Sequence, residues 1–148
     1  MTPSAGVFEG REHVLPVRVY YEDTDFTGVV YHGAYVRYFE RGRSDFLRLA
    51  GVGHAELLDR PDPLAFTVTR LEIDFRSPAR IDDALQVRTT YDLARGPRLS
   101  ISQRILRGDT LIASAQVGAA CISLDGRARK PPKDLVALLS PWFSQAAP

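Results

Sequence analysis

The chain predicts an α+β domain in which one long central helix is wrapped by a five-stranded antiparallel sheet. Three observations lead there. Gly33 to Ala50 has helical period, four later stretches have period two, and the breaks between those stretches are short and rich in turn residues.

The helix is the clearest element. Tyr35, Tyr38, Phe39, Gly42, Phe46 and Leu49 recur at spacings that place them on one face, while Arg37, Glu40, Arg41, Ser44, Asp45 and Arg48 fall largely elsewhere. Gly42 interrupts the apolar stripe and permits close backbone approach to whatever the helix covers. Gly51 and Gly53 are natural stop signals. At about 1.5 Å per residue this is a rod of roughly 27 Å, long enough to organise a small domain.

Val14 to Tyr21 reads as a strand before the helix, from its β-branched and aromatic content. After the helix, Thr67, Thr69, Leu71, Ile73 and Phe75 alternate with polar residues. So do Leu85, Val87, Thr89, Tyr91 and Leu93, then Leu99, Ile101 and Ile105. An apolar run from Leu111 to Leu124 completes the set. Ser77-Pro78, Arg95-Gly96-Pro97 and Arg107-Gly108-Asp109 are breaks that favour antiparallel neighbours, so the four late strands read as a meander. The run Leu111–Leu124 looks too apolar to stay bare, which points to pairing with a second copy. Pro131-Pro132 ends the sheet region, and Asp134 to Leu139 reads as a short helix. The organisation expected is a loosely held arm over residues 1–13, one domain over 14–140 and a tail over 141–148.

Composition narrows the function. In 148 residues, 45% of them hydrophobic, there is material for one core. Nineteen basic against eighteen acidic residues leave a formal net charge of +1, without the basic surplus that nucleic acid or a membrane surface demands. The single cysteine, Cys121, lies in an apolar stretch and reads as core, and no Cys/His spacing suggests zinc. No apolar run is long enough to span a membrane, and Met1–His13 lacks the apolar stretch of an export signal, so the cytoplasm is the expected compartment.

The densest cluster of chemistry-bearing residue types is Tyr20-Tyr21-Glu22-Asp23-Thr24-Asp25-Phe26-Thr27-Gly28-Val29-Val30-Tyr31-His32, at a strand-to-helix junction. The residues between Asp25 and His32 are mostly apolar. They predict a partly desolvated Asp25 with a raised pKa, a better base or nucleophile than a free aspartate. His32 stands at the expected helix start, where backbone N–H groups lack internal partners and can stabilise an oxyanion. Asp23 reads as a cap or turn residue. His13 and His54 sit in polar contexts and read as solvated. Asp23-Thr24-Asp25-Phe26-Thr27 also fits the DxDxT pattern of haloacid-dehalogenase-like phosphatases, with Asp82-Asp83 as a later acidic pair. That chemistry needs magnesium and a parallel sheet with crossover helices, which the late strands do not suggest.

The segment Val17 to Phe46 resembles the 4-hydroxybenzoyl-CoA thioesterase family, within it the branch of Tol-Pal-associated acyl-CoA thioesterases. The resemblance continues through Phe75-Arg76-Ser77-Pro78-Ala79-Arg80-Ile81-Asp82-Asp83 and Arg129-Lys130-Pro131, covering roughly residues 14–135. It implies a hot-dog fold, paired into homodimers or homotetramers with active sites at the subunit interface. It implies hydrolysis of a short-chain or aromatic acyl-CoA, with no metal or redox cofactor. Asp25 matches the family's catalytic aspartate, as nucleophile or as general base, and His32 matches the branch's second functional position. Tyr31 and Ser77 stand as substrate contacts. The phosphates of coenzyme A need cations, for which Arg76, Arg80 and Lys130 are placed; a solvated surface role is the alternative for each. Phe26-Thr27 departs from the small residues frequent in this branch, so Phe26 is expected to narrow or reshape the acyl pocket. The competing reading is a non-catalytic hot-dog protein that binds acyl groups or an envelope-complex partner.

Overall fold

A computed structural model describes residues 1–144. The strands are β1 (Val7–Glu9), β2 (Glu12–Arg18), β3 (Leu64–Phe75), β4 (Ala84–Arg95), β5 (Arg98–Arg107) and β6 (Thr110–Ser123). They form one antiparallel sheet in the order β1-β2-β4-β5-β6-β3. The long helix α1 (His32–Leu49) precedes a short α2 (His54–Leu58), and α3 (Lys133–Leu139) follows the sheet.

Helix α1 lies in the concave side of the sheet because its apolar stripe and the alternating strands supply matching faces. Tyr38, Phe39 and Phe46 are fully buried, as are Val87, Ile101 and Ile105 on the strands opposite. Phe46 stacks on Tyr91 at 4.3 Å between ring centroids. A Cβ at Gly42 would lie 2.8 Å from both Val87 Cγ1 and Thr89 Oγ1, so the glycine is what lets helix and sheet approach. The stripe departs from expectation at its end. Leu49 is 41% exposed, and Leu47 is buried in its place.

Several expectations need correction. Among the described residues the sheet has six strands, because the segment expected to be a loose arm contains β1 and the start of β2. His13, expected to be solvated, is fully buried: its Nε2 meets Asp45 Oδ2 at 2.8 Å. Asp45, expected on the solvent side of the helix, is buried with it. Phe8 stacks on Trp142 at 3.9 Å and Phe143 is buried, so residues 141–144 of the expected tail are docked. Residues 145–148 lie outside the described residues.

The late strands are not a simple meander. β4, β5 and β6 follow one another, but β3 pairs with β6 and forms the opposite edge of the sheet. The link Arg76–Asp83 therefore crosses from one side of the sheet to the other. β6, with its apolar run, is paired on both edges, by β5 and β3, and β3 is the long edge strand opposite the three-residue β1. Of β3's twelve residues only Leu64 is buried, since α1 covers the middle of the sheet and not its rim.

Candidate active site

β2 ends at Arg18, and the chain then turns through a 3₁₀ turn at Tyr21–Asp23. Asp23 holds that turn closed. Its Oδ2 accepts the Tyr20 N–H at 2.9 Å, and its backbone oxygen accepts the Tyr31 N–H at 2.9 Å. Asp23 is 6% exposed and structural, as its sequence context predicts. Tyr38 lies beneath it, buried, with a hydroxyl that has no hydrogen-bond partner among the described residues. Burial first, and the Asp23 carboxylate second, push that phenol well above its ordinary range.

Asp25 begins a second, tighter turn. Thr27 donates both its backbone N–H (2.8 Å) and its hydroxyl (2.6 Å) to Asp25 Oδ1. Gly28, at φ +80°, reverses the chain, so that the Asp25 N–H reaches Val29 O at 2.9 Å. Thr24 and Val30 then face each other as an antiparallel bridge. Together with the Tyr31-to-Asp23 bond, this closed loop brings the Asp25 backbone alongside the residues that lead into α1.

The sequence predicts a desolvated Asp25 with a raised pKa, and the structure reverses that. The side chain is exposed, and the Thr27 hydroxyl, followed by the Thr27 N–H, holds the carboxyl below the usual carboxylate range. Asp25 is therefore ionised at neutral pH. Phe26 is fully exposed and does not line the depression beside His32, so within one chain it narrows nothing.

His32 is the first residue of α1, and no side chain caps the helix there. The uncapped N–H groups and the helix dipole make this end electropositive. The Tyr31 ring lies against His32, 4.3 Å between centroids, and over Gly33, where a Cβ would be 2.7 Å from Tyr31 Cε1. The link between β3 and β4 forms the other wall. Val29 pairs with Arg80 as an antiparallel bridge, Val30 N–H reaches Ala79 O at 2.8 Å, and Ala79 N–H reaches the Tyr35 hydroxyl at 3.1 Å. A depression of about 310 Å³ results, lined by His32, Tyr35, Phe75, Arg76 and Ser77 among others.

Of the residues singled out from sequence, the structure gathers Asp25, Tyr31, His32, Arg76, Ser77 and Arg80 at this end of the molecule. Lys130 is not among them. It follows Arg129, whose N–H meets Cys121 O, whereas the Ser77 N–H meets Ile112 O at the other end of β6. Nine residues of strand separate those acceptors, about 30 Å. Asp82 and Asp83, the candidate second acidic pair of a phosphatase, are turn residues. Asp82 takes φ +67°, and Asp83 Oδ2 accepts the Arg80 N–H and Arg107 Nη1. The all-antiparallel sheet also excludes the phosphatase architecture.

Residues 19–146 match the profile of the thioesterase-like superfamily. The chain belongs to that superfamily. It is 42% identical over 110 residues to the acyl-CoA thioesterase YbgC of Haemophilus influenzae, covering 74% of this chain and 80% of that one. It is 40% identical over 124 residues to the acyl-CoA thioester hydrolase YbgC of Escherichia coli O6:H1, covering 82% and 91%. The crystal structure of a probable thioesterase from Bartonella henselae superposes with a TM-score of 0.79 at 41% identity, over 82% of this chain and 99% of that one. The family resemblance carried by Val17–Phe46 and the hot-dog architecture it implied are both borne out. The sheet has one strand more than expected.

Three residues of this superfamily member escaped the sequence reading. Thr27 enters the sequence reading only as part of the Phe26-Thr27 departure from small residues, yet it is the partner of Asp25; Asp-Phe-Thr at this spacing is a signal for such a turn. Tyr35 was read as core and is also the anchor of the Ala79 amide. Gly33 gives the Tyr31 ring its place, a role that only the folded geometry reveals.

Proposed function

We propose that the chain hydrolyses the thioester of a short-chain or aromatic acyl-CoA, with Asp25 as the reacting carboxylate and the first turn of α1 at His32 as the oxyanion site. The observation that carries the reading is the closed loop Asp23–Tyr31, which ties an ionised carboxylate to an uncapped helix N-terminus beside an open depression.

With Oδ1 held by Thr27, Oδ2 is the oxygen that faces the substrate. As general base it takes a proton from water, and the hydroxide attacks the thioester carbon. The resulting oxyanion lies against the N–H groups of α1, and collapse expels the coenzyme A thiolate, which takes a proton back. As nucleophile, Asp25 instead forms a mixed anhydride with loss of the same thiolate, and water then cleaves the anhydride. Neither route requires a metal or redox cofactor. Tyr31 and Ser77 would contact the substrate, and Arg76 and Arg80 would meet the coenzyme A phosphates.

The working unit of this proposal is a homodimer, able to pair again into a tetramer. β3 presents an unpaired edge of twelve residues. A second copy aligned antiparallel along it would complete the ladder and lay the start of one β3 beside the end of the other. Lys130 would thereby approach the partner's site, and the exposed Phe75 would be covered. An acyl-CoA substrate places the reaction in the cytoplasm. Among the described residues no helix is long and apolar enough to cross a membrane.

The test is Asp25→Asn, assayed by free-thiol release on a panel of aliphatic and aromatic acyl-CoA substrates. A loss of about a thousandfold in kcat with an unchanged melting temperature is expected. Full activity in the variant would sink the assignment. No turnover by the wild type, with tight acyl-CoA binding, would move the protein to a binding role.

A further inference from the structure

A second cavity, of about 100 Å³, lies between the C-terminal half of α1 and the sheet. Its walls include Leu47, Phe66, Tyr91, Leu99 and Ile101, and its one lining arginine is Arg43. That guanidinium is half-buried and tied down from behind. Nη1 donates to Gln103 Oε1 at 3.0 Å, while Gln103 Nε2 donates to Phe39 O and Thr89 Oγ1 at 2.8 and 2.9 Å. Gln103 is itself buried and fully committed, so Arg43 is pre-positioned. Among the described residues it has no ion-pair partner. Glu40 lines the same cavity, but its carboxylate accepts the Ser44 hydroxyl, whose oxygen also meets His54 Nε2 at 3.0 Å. Desolvation presses the Arg43 pKa down, opposed only in part by Tyr91 and Glu40 nearby, so the charge is incompletely compensated.

A fixed, partly desolvated guanidinium at an apolar cavity is suited to a carboxylate, which it can grip through two parallel hydrogen bonds. The cavity has room for a ring or a chain of a few carbons. It cannot serve the Asp25 of its own chain. Arg43 lies eleven residues along α1 from His32, about 16 Å, more than twice the reach of a five-carbon acyl group. Antiparallel pairing of two β3 edges would, however, set Phe66 of one copy near the end of β3 in the other, beside that copy's His32.

We propose that this cavity receives the acyl group of a substrate held at Asp25 of the partner subunit, and that Arg43 pairs with a carboxylate at its far end. The preferred substrates are then coenzyme A half-thioesters of short dicarboxylic acids. This inference rests on the thioesterase reading and on β3 pairing, and its test separates them.

Glutaryl-CoA and pentanoyl-CoA have five-carbon acyl groups that end in a carboxylate and a methyl. The wild type is expected to favour glutaryl-CoA in kcat/KM by about tenfold or more, and Arg43→Met to lower that ratio by a similar factor. Arg43→Lys, which keeps the charge, should restore part of it. A wild-type preference for pentanoyl-CoA, or a ratio that Arg43→Met leaves in place, overturns the proposal; should Arg43→Met not fold, the wild type and Arg43→Lys decide. Turnover of neither substrate, nor of any aromatic acyl-CoA, sinks the thioesterase reading instead. Calorimetry with glutarate and pentanoate then tests the cavity alone: Arg43-dependent glutarate binding supports it, and equal binding of both acids overturns it. Co-refolding Asp25→Asn chains with Arg43→Met chains tests the sharing of sites. Half the dimers are then mixed and hold one intact site each, so glutaryl-CoA turnover should recover to about a quarter of the wild type. No recovery overturns the assignment to the partner.

Discussion

A carboxylate and an imidazole meet each half of helix α1, Asp45 with His13 of β2 and His32 with Asp25 of the preceding loop, and the two pairs have opposite fates. His13 and Asp45 sit 2.8 Å apart in the core, the closer imitation of a catalytic dyad. Asp25 and His32 are exposed at the helix start. The buried pair is closed: Asp45 Oδ2 also accepts the Gly6 N–H at 2.7 Å, and Asp45 pairs with Arg48. Phe8 meets the His13 ring edge-on at 5.4 Å, and Phe8 is in turn roofed by Trp142. His13 is fully buried and Asp45 is 3% exposed. The exposed pair has one carboxylate oxygen held by Thr27 and one left open. Access and spare hydrogen-bonding capacity, more than the distance between acid and imidazole, separate a reacting site from a structural clamp.

The sharpest way to break this comparison is to remove each carboxylate in turn. Asp25→Asn should abolish turnover with little change in stability. Asp45→Ala should do the reverse. It strands the Gly6 N–H and the His13 Nε2–H in the core, at a cost of about 3 kcal/mol, while turnover per folded molecule is retained. Thermal unfolding and active-site-normalised rates on both variants read the two effects. Equal loss of activity in both would mean that the buried pair contributes to the chemistry after all.

Thr27→Val is a finer cut within the open pair. It deletes the hydroxyl bond to Asp25 Oδ1 and leaves the backbone bond. With the largest of the three lowering contacts gone, the Asp25 pKa should rise towards its ordinary value. The acid limb of the pH–rate profile should move to higher pH, and kcat at neutral pH should fall by about tenfold as the carboxylate loses its fixed orientation. An unmoved acid limb would show that some other group sets it.

What the sequence told and what it hid follow the same division between local and distant contacts. The helix was legible because Tyr35, Tyr38, Phe39 and Phe46 repeat with its period. Asp25 was legible because a long contiguous motif surrounds it. Its environment was misread because apolar neighbours in sequence, Phe26 and Val29, do not bury a carboxylate that the turn points outward. His13 was misread because its burial depends on Asp45, thirty-two residues away, and on Phe8 and Trp142 from the two ends of the chain. The β3–β6 pairing was invisible for a like reason: the eight-residue link Arg76–Asp83 looks like a simple turn until Val29 and Val30 bind it across the end of α1.

The smallest effect distinguishes the two pairs by pH. Burial, partly opposed by Asp45, lowers the His13 pKa below its ordinary 6.5. The neutral ring donates through Nε2 to Asp45, and its Nδ1 is buried without a partner, so a second proton would have to be carried there uncompensated. As pH falls through 6.5 the unfolded chain binds a proton that the native chain refuses. Stability should therefore be level above that value and decline below it, by up to about 1.4 kcal/mol per pH unit, until the folded pKa is reached. His13→Gln, measured by urea unfolding between pH 7 and pH 5, should be less stable throughout and lack this slope. The window lies above the range where the lowered carboxylates, Asp25 among them, begin to protonate. An unchanged slope in the variant would mean that His13 is not the group responsible, and that the buried clamp is as open to protons as the exposed site.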